Sequence, residues 1–286
     1  MHGCGWPRNW GLLMRSERTH DNRAPAWLKV VVFAVLAFMQ FPILMIAIYS
    51  FNIEDSAYTF PPPGYTLKWF GRILDRPDVM ESIFLSLLTA TLASVLAIGL
   101  GSLAALAVHR PRFRGHDALN IMFNLPIALP GIITGIALLS SLRLLKLEPG
   151  VLTIIIGHTT FCVVIVYNNV IARLRRLPAS LVEASMDLGA DGFTTFRRIT
   201  LPGISTAVLA GGILAFALSF DEIIVTTFTA GAQRTLPLWL LNQLSKPREM
   251  PITNVVALIV IAVTTLPIIG AYRLTMGTHS TEGASK

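Results

Sequence analysis

The sequence predicts an all-α integral membrane protein with six transmembrane helices. Hydrophobic residues make up 53% of its 286 residues and charged residues only 14%, whereas a soluble domain carries about 25% charged residues. Six apolar stretches are each long enough to cross a bilayer, which takes about 20 residues. They cover roughly residues 28–50, 82–108, 118–142, 151–172, 204–227 and 254–273.

Basic residues predict the orientation of these spans. With both termini in the cytoplasm, fifteen of the 23 Lys and Arg residues lie on the inner side and eight on the outer side, and Lys and Arg concentrate in cytoplasmic loops. The net charge of +7 therefore follows from topology and from attraction to membrane lipid. Nucleic-acid binding is excluded as a function class, because the sequence has no basic, aromatic-interleaved soluble face.

The domain organisation follows from the same spans. We predict a membrane domain at 27–275 between a cytoplasmic tail at 1–26 and a disordered cytoplasmic tail at 276–286. The first span is too long and too far from the N-terminus for a cleaved signal peptide, so we expect it to remain as an anchor. Met14 is a second plausible start of the chain.

Two segments on the predicted outer side contain amphipathic stretches. In the first segment, 51–81, a turn at Pro61–Gly64 precedes Lys68–Phe70, a pattern typical of an interfacial helix. In the second segment, 229–253, a similar helix is predicted over 236–244. Either these helices only pack at the membrane surface, or together they receive a soluble partner.

The third span is interrupted by helix-breaking residues, namely Pro126, Pro130, Gly131 and Gly135. Such breaks are tolerated at membrane depth only where protein or a water-filled cavity satisfies the freed backbone groups. The pattern therefore places this span beside a pathway or a moving interface, with a kink that serves packing alone as the alternative.

A polar segment between the fourth and fifth spans predicts two short helices that meet at a bend. Pro178 suits a first turn, good helix formers fill Ala179–Leu188, and Gly189 can adopt the left-handed conformation that ends a helix. Asp191 can cap a second helix, which is expected to end before Pro202. A polar element between two membrane spans indicates a docking surface.

The fifth span contains two acidic residues, Asp221 and Glu222. A charge at the centre of a bilayer costs about 2.5–3.5 kcal/mol on insertion scales, so such residues are functional candidates. On a continuous helix neighbouring side chains point about 100° apart. We therefore expect Asp221 to face a substrate pathway and Glu222 to pair across a helix interface. The reverse assignment, and a role of both in packing, remain alternatives.

Other polar groups in the spans are assigned structural roles. His158, Asn168 and Asn169 in the fourth span are expected to form interhelical hydrogen bonds. Cys4 and Cys162 are too few and too far apart for a disulfide framework.

Catalytic and metal sites are not predicted. No two carboxylates or histidines fall at metal-ligand spacing on one face. The chain also lacks a G-x-x-x-x-G-K-[ST] nucleotide loop and a nucleophile elbow. We therefore expect no catalytic residue, metal or cofactor in this chain.

The polar segment resembles the cytoplasmic loop of permease subunits in binding-protein-dependent ABC importers. That loop reads E-A-A, then Gly six residues after the Glu, then I-x-L-P. The matching residues here are Glu183-Ala184-Ser185, Gly189 and Ile199-x-Leu201-Pro202. Serine at position 185 in place of alanine is the one departure.

Further motifs are similar to the second permease of spermidine/putrescine-type ABC importers. The motifs are LPIALPGI at 125–132, GHTTF at 157–161, LSFDEIIVTTF at 218–228 and TLPLW at 235–239. The resemblance extends from about Trp27 to Tyr272. It implies the type I fold of ABC importer permeases in a bacterial cytoplasmic (inner) membrane.

The resemblance also implies partners. They are a second homologous permease, two copies of a cytoplasmic ATP-binding subunit that hold ATP and Mg, and an extracytoplasmic solute-binding protein. The 173–203 segment would be the coupling loop, seated in a cleft of the ATPase. Its residues are Glu183, Ala184, Ser185, Asp187, Gly189, Leu201 and Pro202. Serine at 185 is expected to make the docking face slightly more polar.

The expected cargo is a polyamine such as putrescine or spermidine. Asp221, Glu222 and Pro130 are the candidate residues of the substrate pathway, since a desolvated ammonium needs an opposite charge on its route. Another small nitrogenous solute is the first alternative. A stand-alone proton-coupled carrier that uses Asp221 is the second, although such a carrier would not need the docking segment.

Overall fold

The computed structural model describes residues 25–55, 59–109, 116–244, 251–263 and 265. Within them the chain folds into helices joined by turns, which confirms the all-α prediction. The helices are α1 Ala26–Tyr49, α2 Lys68–Leu74, α3 Pro77–Val108, α4 His116–Ala128, α5 Gly131–Leu144, α6 Val151–Leu174, α7 Ala179–Asp187, α8 Gly192–Thr195, α9 Leu201–Phe220, α10 Ile224–Thr229, α11 Leu236–Leu244 and α12 Pro251–Val263.

Several predictions concern residues outside the described ranges. Met14 and Cys4 belong to this group, as do nearly all of the predicted N-terminal tail and the whole predicted tail at 276–286. The predicted sixth span, 254–273, is described only through α12, which ends at Val263, and at residue 265.

Four helices of the described chain are long and apolar enough to cross a membrane. They are α1, α3, α6 and a continuous helical run, Gly192–Phe220, that contains α8 and α9. The pair formed by α4 and α5 would be a fifth span if both halves belong to one crossing. α12 is a shorter apolar helix. The structure therefore supports a multi-pass membrane protein, and the sixth span stays a prediction.

The core is formed by α3, α6 and α9, which pack closely through glycines. A Cβ atom on Gly101 of α3 would lie only 2.8 Å from the Val163 carbonyl oxygen of α6, and one on Gly211 of α9 only 3.1 Å from Val166 Cα. Small residues of this kind let helix backbones approach in a membrane, where van der Waals packing drives association. In contrast, α1 has no buried residue in its apolar window.

The helices α2 and α11 and the start of α3 meet at one end of the bundle. Trp69 of α2 donates through Nε1 to the Asn52 carbonyl oxygen at 2.7 Å, and Trp239 of α11 donates through Nε1 to Asp78 Oδ2 at 2.9 Å. Arg76 donates to both oxygens of the same carboxylate, at 2.9 and 3.0 Å. Helices are thus present in both segments where we predicted them, while their position at the membrane surface stays a prediction; we call this region the tryptophan end.

The third span is broken as its prolines and glycines predict. α4 and α5 are bent by 105° relative to each other. Pro130 is the residue before α5, with φ −56° and ψ 132°. Proline lacks an N–H group and drives its predecessor out of the helical region, which accounts for the break at this point.

The prediction of one continuous fifth span over 204–227 was wrong. α9 begins earlier, at Leu201, and ends at Phe220, while α10 begins only at Ile224. The chain between them, 221–223, forms what we call the fifth-span break. No glycine or proline lies in this break, so the residue types that usually end a helix do not account for it.

Candidate functional site

The 173–203 segment contains the predicted bend at Gly189. This glycine has φ +85°, and its N–H donates to the Met186 carbonyl oxygen at 2.9 Å. The next N–H, of Ala190, donates to the Ser185 carbonyl oxygen at 3.1 Å. These two bonds form a Schellman motif, which ends α7 and needs a left-handed residue that glycine adopts without steric cost.

Asp191 starts the second short helix, as predicted. Its Oδ1 accepts a hydrogen bond from the Thr194 N–H at 3.1 Å. Hydrogen bonds from the side chain and backbone of Thr194 hold the pKa of the Asp191 carboxyl below its usual value.

The second helix does not end before Pro202, which corrects the prediction. It continues through a π-helical turn, Phe196–Thr200, into α9. Leu201 donates its N–H to the carbonyl oxygen of Phe196, five residues back. Pro202 follows the π-helical turn directly, as the second residue of α9. The segment is therefore one 29-residue helix from Gly192 to Phe220, about 43 Å long.

The side chain of Ser185, which we expected on the docking face, forms a contact within the loop. Its hydroxyl hydrogen-bonds the hydroxyl of Thr195 at 3.0 Å, and Thr195 is buried. The serine therefore ties α7 to the long helix across the inside of the bend. An alanine at this position would leave the contact unmade.

The outer face of α7 and its bend exposes both charged and apolar side chains. Glu183, Ala184 and Asp187 are exposed, as are Leu201 and Pro202 beyond the bend. Large apolar side chains are exposed beside them: Leu181, Met186, Leu188 and Phe193. Leu188 is the extreme case, with 89% of its surface accessible. Neighbouring apolar groups with this exposure mark an interaction surface.

The base of the segment is fixed to the bundle by an arginine. Arg173, in the last turn of α6, donates through Nε to the carbonyl oxygen of Gly203 in α9 at 2.9 Å. The loop is thus attached through Arg173 at its base and through Ser185 at its bend.

Asp221 and Glu222 lie in the fifth-span break rather than on a continuous helix. Asp221 is exposed, and no hydrogen bond or ion pair joins its carboxylate to another described residue. Glu222 is half-buried, and its Oε1 accepts the N–H of Val225 at 2.9 Å. Glu222 therefore caps α10 locally, instead of pairing across a helix interface as predicted. The assignment of Asp221 and Glu222 to different helix faces assumed 100° between neighbouring side chains of a continuous helix. That assumption does not hold in the break.

The breaks of the third and fifth spans lie side by side. Gly131, next to Pro130, faces Ile224 at the start of α10, where an added Cβ would lie 3.4 Å from the isoleucine side chain. One turn further along α5, a Cβ on Gly135 would overlap the ring of Phe228. Pro130 thus lies near the acidic break, and the two glycines allow the helices to approach.

Two polar contacts connect α4 to α6. Asn168 donates through Nδ2 to Asn124 Oδ1 at 2.9 Å, and the Tyr167 hydroxyl donates to Asn120 Oδ1. His158 hydrogen-bonds two hydroxyls beyond its own helix, so the interhelical prediction is confirmed for His158 and Asn168. Asn169 donates instead to the Ile165 carbonyl oxygen of its own helix.

Comparison with known proteins gives the family. The model of the family described as binding-protein-dependent transport system inner membrane component matches residues 97–275. The putrescine transport system permease protein PotI of Escherichia coli (strain K12) is 37% identical over 224 residues, covering 76% of this chain and 79% of PotI. The spermidine/putrescine transport system permease protein PotC of the same organism is 32% identical over 239 residues, covering 83% and 89%.

Solved structures show the same fold. A chain in the crystal structure of a bacterial ABC transporter involved in the import of the acidic polysaccharide alginate superposes with a TM-score of 0.66 at 17% identity, covering 87% of this chain and 94% of that one. A chain of the MetNI methionine ABC transporter gives a TM-score of 0.57 at 16% identity, covering 74% and 98%.

The chain therefore belongs to the family of binding-protein-dependent transport system inner membrane components. It is a permease subunit of an ABC importer, which confirms the resemblance drawn from the sequence.

Proposed function

We propose that this permease imports polyamines such as putrescine or spermidine. The observation that carries the proposal is the exposed carboxylate of Asp221, which has no partner among the described residues and lies in a break within an otherwise apolar span. A carboxylate in that position offsets the charge of a passing ammonium group. The names of the relatives PotI and PotC point to the same substrates. Another small nitrogenous cation would use the same site.

Transport by alternating access requires the two states to bind the cargo with different affinity. The long helix from Gly192 to Phe220 supports a mechanical link, because it joins the exposed α7–α8 bend at one end to the fifth-span break at the other. A displacement of the bend would then change the surroundings of Asp221.

The bend is the proposed docking site for a partner ATPase. Two copies of that subunit would bind ATP and Mg and supply the hydrolysis that this permease does not perform. The exposed apolar residues beside Glu183 support the proposal, because a surface of this kind needs a partner. The contacts of Ser185 and Arg173 would transmit the motion of the docked loop to the bundle.

We assign two further partners to other parts of the chain. The helix α1, which has no buried residue in its apolar window, would contact lipid and the second permease. The tryptophan end would face outward and receive the solute-binding protein, with both tails in the cytoplasm. A cysteine at Gly64 or Ala232 should then react with a membrane-impermeant thiol reagent in intact cells, whereas one at Asp191 should not. The opposite labelling pattern would reverse the orientation.

The substrate is tested with the assembled transporter in proteoliposomes. We expect its ATPase activity to rise when the binding protein is supplied with putrescine or spermidine, and labelled polyamine to accumulate inside. A neutral amino acid serves as the matched control, since it lacks the net positive charge that Asp221 would offset. Stimulation by the amino acid alone would refute the polyamine assignment while leaving the importer class intact.

A further inference from the structure

A single buried histidine contacts both sides of the fifth-span break. His158 of α6 lies 2.7 Å through Nδ1 from the hydroxyl of Ser219, in the last turn of α9. Its Nε2 lies 2.8 Å from the hydroxyl of Thr226, in the first turn of α10. All three side chains are at most 2% exposed. We call this arrangement the His158 clamp.

The hydrogen bonds favour one tautomer of the ring. The Thr226 hydroxyl lies 2.6 Å from the Glu222 carbonyl oxygen, which can only accept. When the hydroxyl donates its proton there, it accepts from His158, and Nε2 carries a proton. In the neutral imidazole Nδ1 then accepts, and the Ser219 hydroxyl donates to it. Both ring nitrogens are satisfied in this state.

The clamp joins the two helices on either side of the break. Ser219 lies in the last turn of α9 and Thr226 in the first turn of α10, and both hydroxyls bond the same imidazole ring. The chain between these two residues leaves the helical path, and the residues that leave it include Asp221 and Glu222.

The clamp also reaches Glu222 directly. Thr226 bonds the backbone of Glu222, while the Glu222 side chain caps the N–H of Val225. Phe161, one turn along α6, lies with its ring 5.7 Å from that of His158 and covers it. Phe161 thus packs beside the imidazole on one side, and the hydrogen bonds of the imidazole hold the break on the other side.

We infer that His158 is a positioning residue that holds the fifth-span break against α6 and so presents Asp221 to the cargo. The presentation of Asp221 to cargo rests on the proposed function. The attachment of the break to α6 by His158 does not. The two parts therefore need separate measurements.

The structural part is measured by thiol labelling at the break. A cysteine replaces the half-buried Ile223 in a chain with Cys4 and Cys162 changed to alanine, after wild-type uptake has been verified for that chain. Releasing the break from α6 should expose this cysteine, so Ser219→Ala and Thr226→Val should each raise its labelling rate by about threefold or more. His158→Ala should raise it at least as much.

Two control variants separate the clamp from general loss of polar groups. Thr226→Ser keeps the hydroxyl and should label like the parent. Thr159→Val removes the hydroxyl of the next residue in α6, which bonds only within its own helix, to the Ile155 carbonyl oxygen, and should also change nothing. Unchanged labelling in both Ser219→Ala and Thr226→Val would overturn the clamp.

The transport part is measured as uptake kinetics of labelled putrescine by the assembled complex. The clamp variants should raise KM by about tenfold, corresponding to roughly one lost hydrogen bond. Basal ATPase activity and the yield of assembled complex should not change, whereas a purely structural defect would lower the yield. Increased labelling with unchanged KM would overturn the positioning role. Increased labelling in a transporter whose wild type imports no polyamine would retain the clamp and refute the substrate.

Discussion

The long helix Gly192–Phe220 is bounded by the bend at one end and by the fifth-span break at the other, and the two interruptions of the helical path have different causes. At the first end, Gly189 and Asp191 form the bend with bonds to residues no more than five positions away. At the other end, the fifth-span break depends on His158, which is 61 residues from Ser219 and 68 from Thr226. One interruption is local and the other is tertiary, and they should respond differently to substitution.

The largest effect is expected where the local interruption is destroyed. Gly189→Val places a β-branched residue at φ +85°, which such residues tolerate poorly. The bend should distort, and uptake together with substrate-stimulated ATPase activity should fall to background, while membrane insertion continues. Both activities are measured in the assembled complex.

Gly192→Ala is the matched control for that variant. Gly192 lies three residues away, has no positive φ, and has no atom within 4 Å of an added Cβ. We expect nearly normal uptake and ATPase activity from it. Normal coupling in Gly189→Val would show that the bend plays no part in docking.

An intermediate effect is expected at the tertiary interruption. Asp221→Asn keeps the volume but removes the charge, and a hydrogen bond to a charged group contributes about 1.5–3 kcal/mol. Putrescine uptake should therefore fall by about tenfold or more, with basal ATPase activity and docking of the binding protein unchanged. Initial uptake rates at equal expression provide the measurement.

Glu222→Gln is the control within the same break. Its amide oxygen can still accept the Val225 N–H that Glu222 Oε1 accepts now, so a smaller loss is expected. A defect confined to Glu222→Gln would assign the cargo contact to the other carboxylate. Wild-type uptake by Asp221→Asn would remove that residue from the pathway.

The sequence predicted local features because their causes lie within a few residues. A left-handed glycine and an aspartate cap are visible at Gly189 and Asp191, and the break at Pro130 follows from a proline that cannot donate. Pro202 misled the prediction, because the helical run continues past this proline, with a π-helical turn directly before it. This turn joins α8 to α9.

The fifth-span break could not be found in the same way. Residues 204–227 contain apolar and helix-compatible residues without proline, so hydropathy predicts one helix. The signal present is a pair of hydroxyl residues, Ser219 and Thr226, on either side of the acids. This pair of hydroxyl residues indicates a break only when the tertiary structure is known, because α6 places His158 between them. The partner of Ser185 was hidden for the same reason, because the packing of α7 against α8 decides which way the hydroxyl points.

The smallest effect is expected at Ser185, whose hydroxyl joins α7 to the long helix. Ser185→Ala removes the hydrogen bond to Thr195, and a neutral hydrogen bond contributes about 1 kcal/mol net. Alanine also matches the family pattern, so the loop should still dock, and substrate-stimulated ATPase activity should stay within about threefold of the wild type. Thr195→Val, which removes the other hydroxyl of the same pair, should reproduce that result, and the double variant should add nothing further. A double variant much worse than either single one would mean that the two hydroxyls act independently, and α7 would then be held to the long helix by its Schellman turn rather than by this pair.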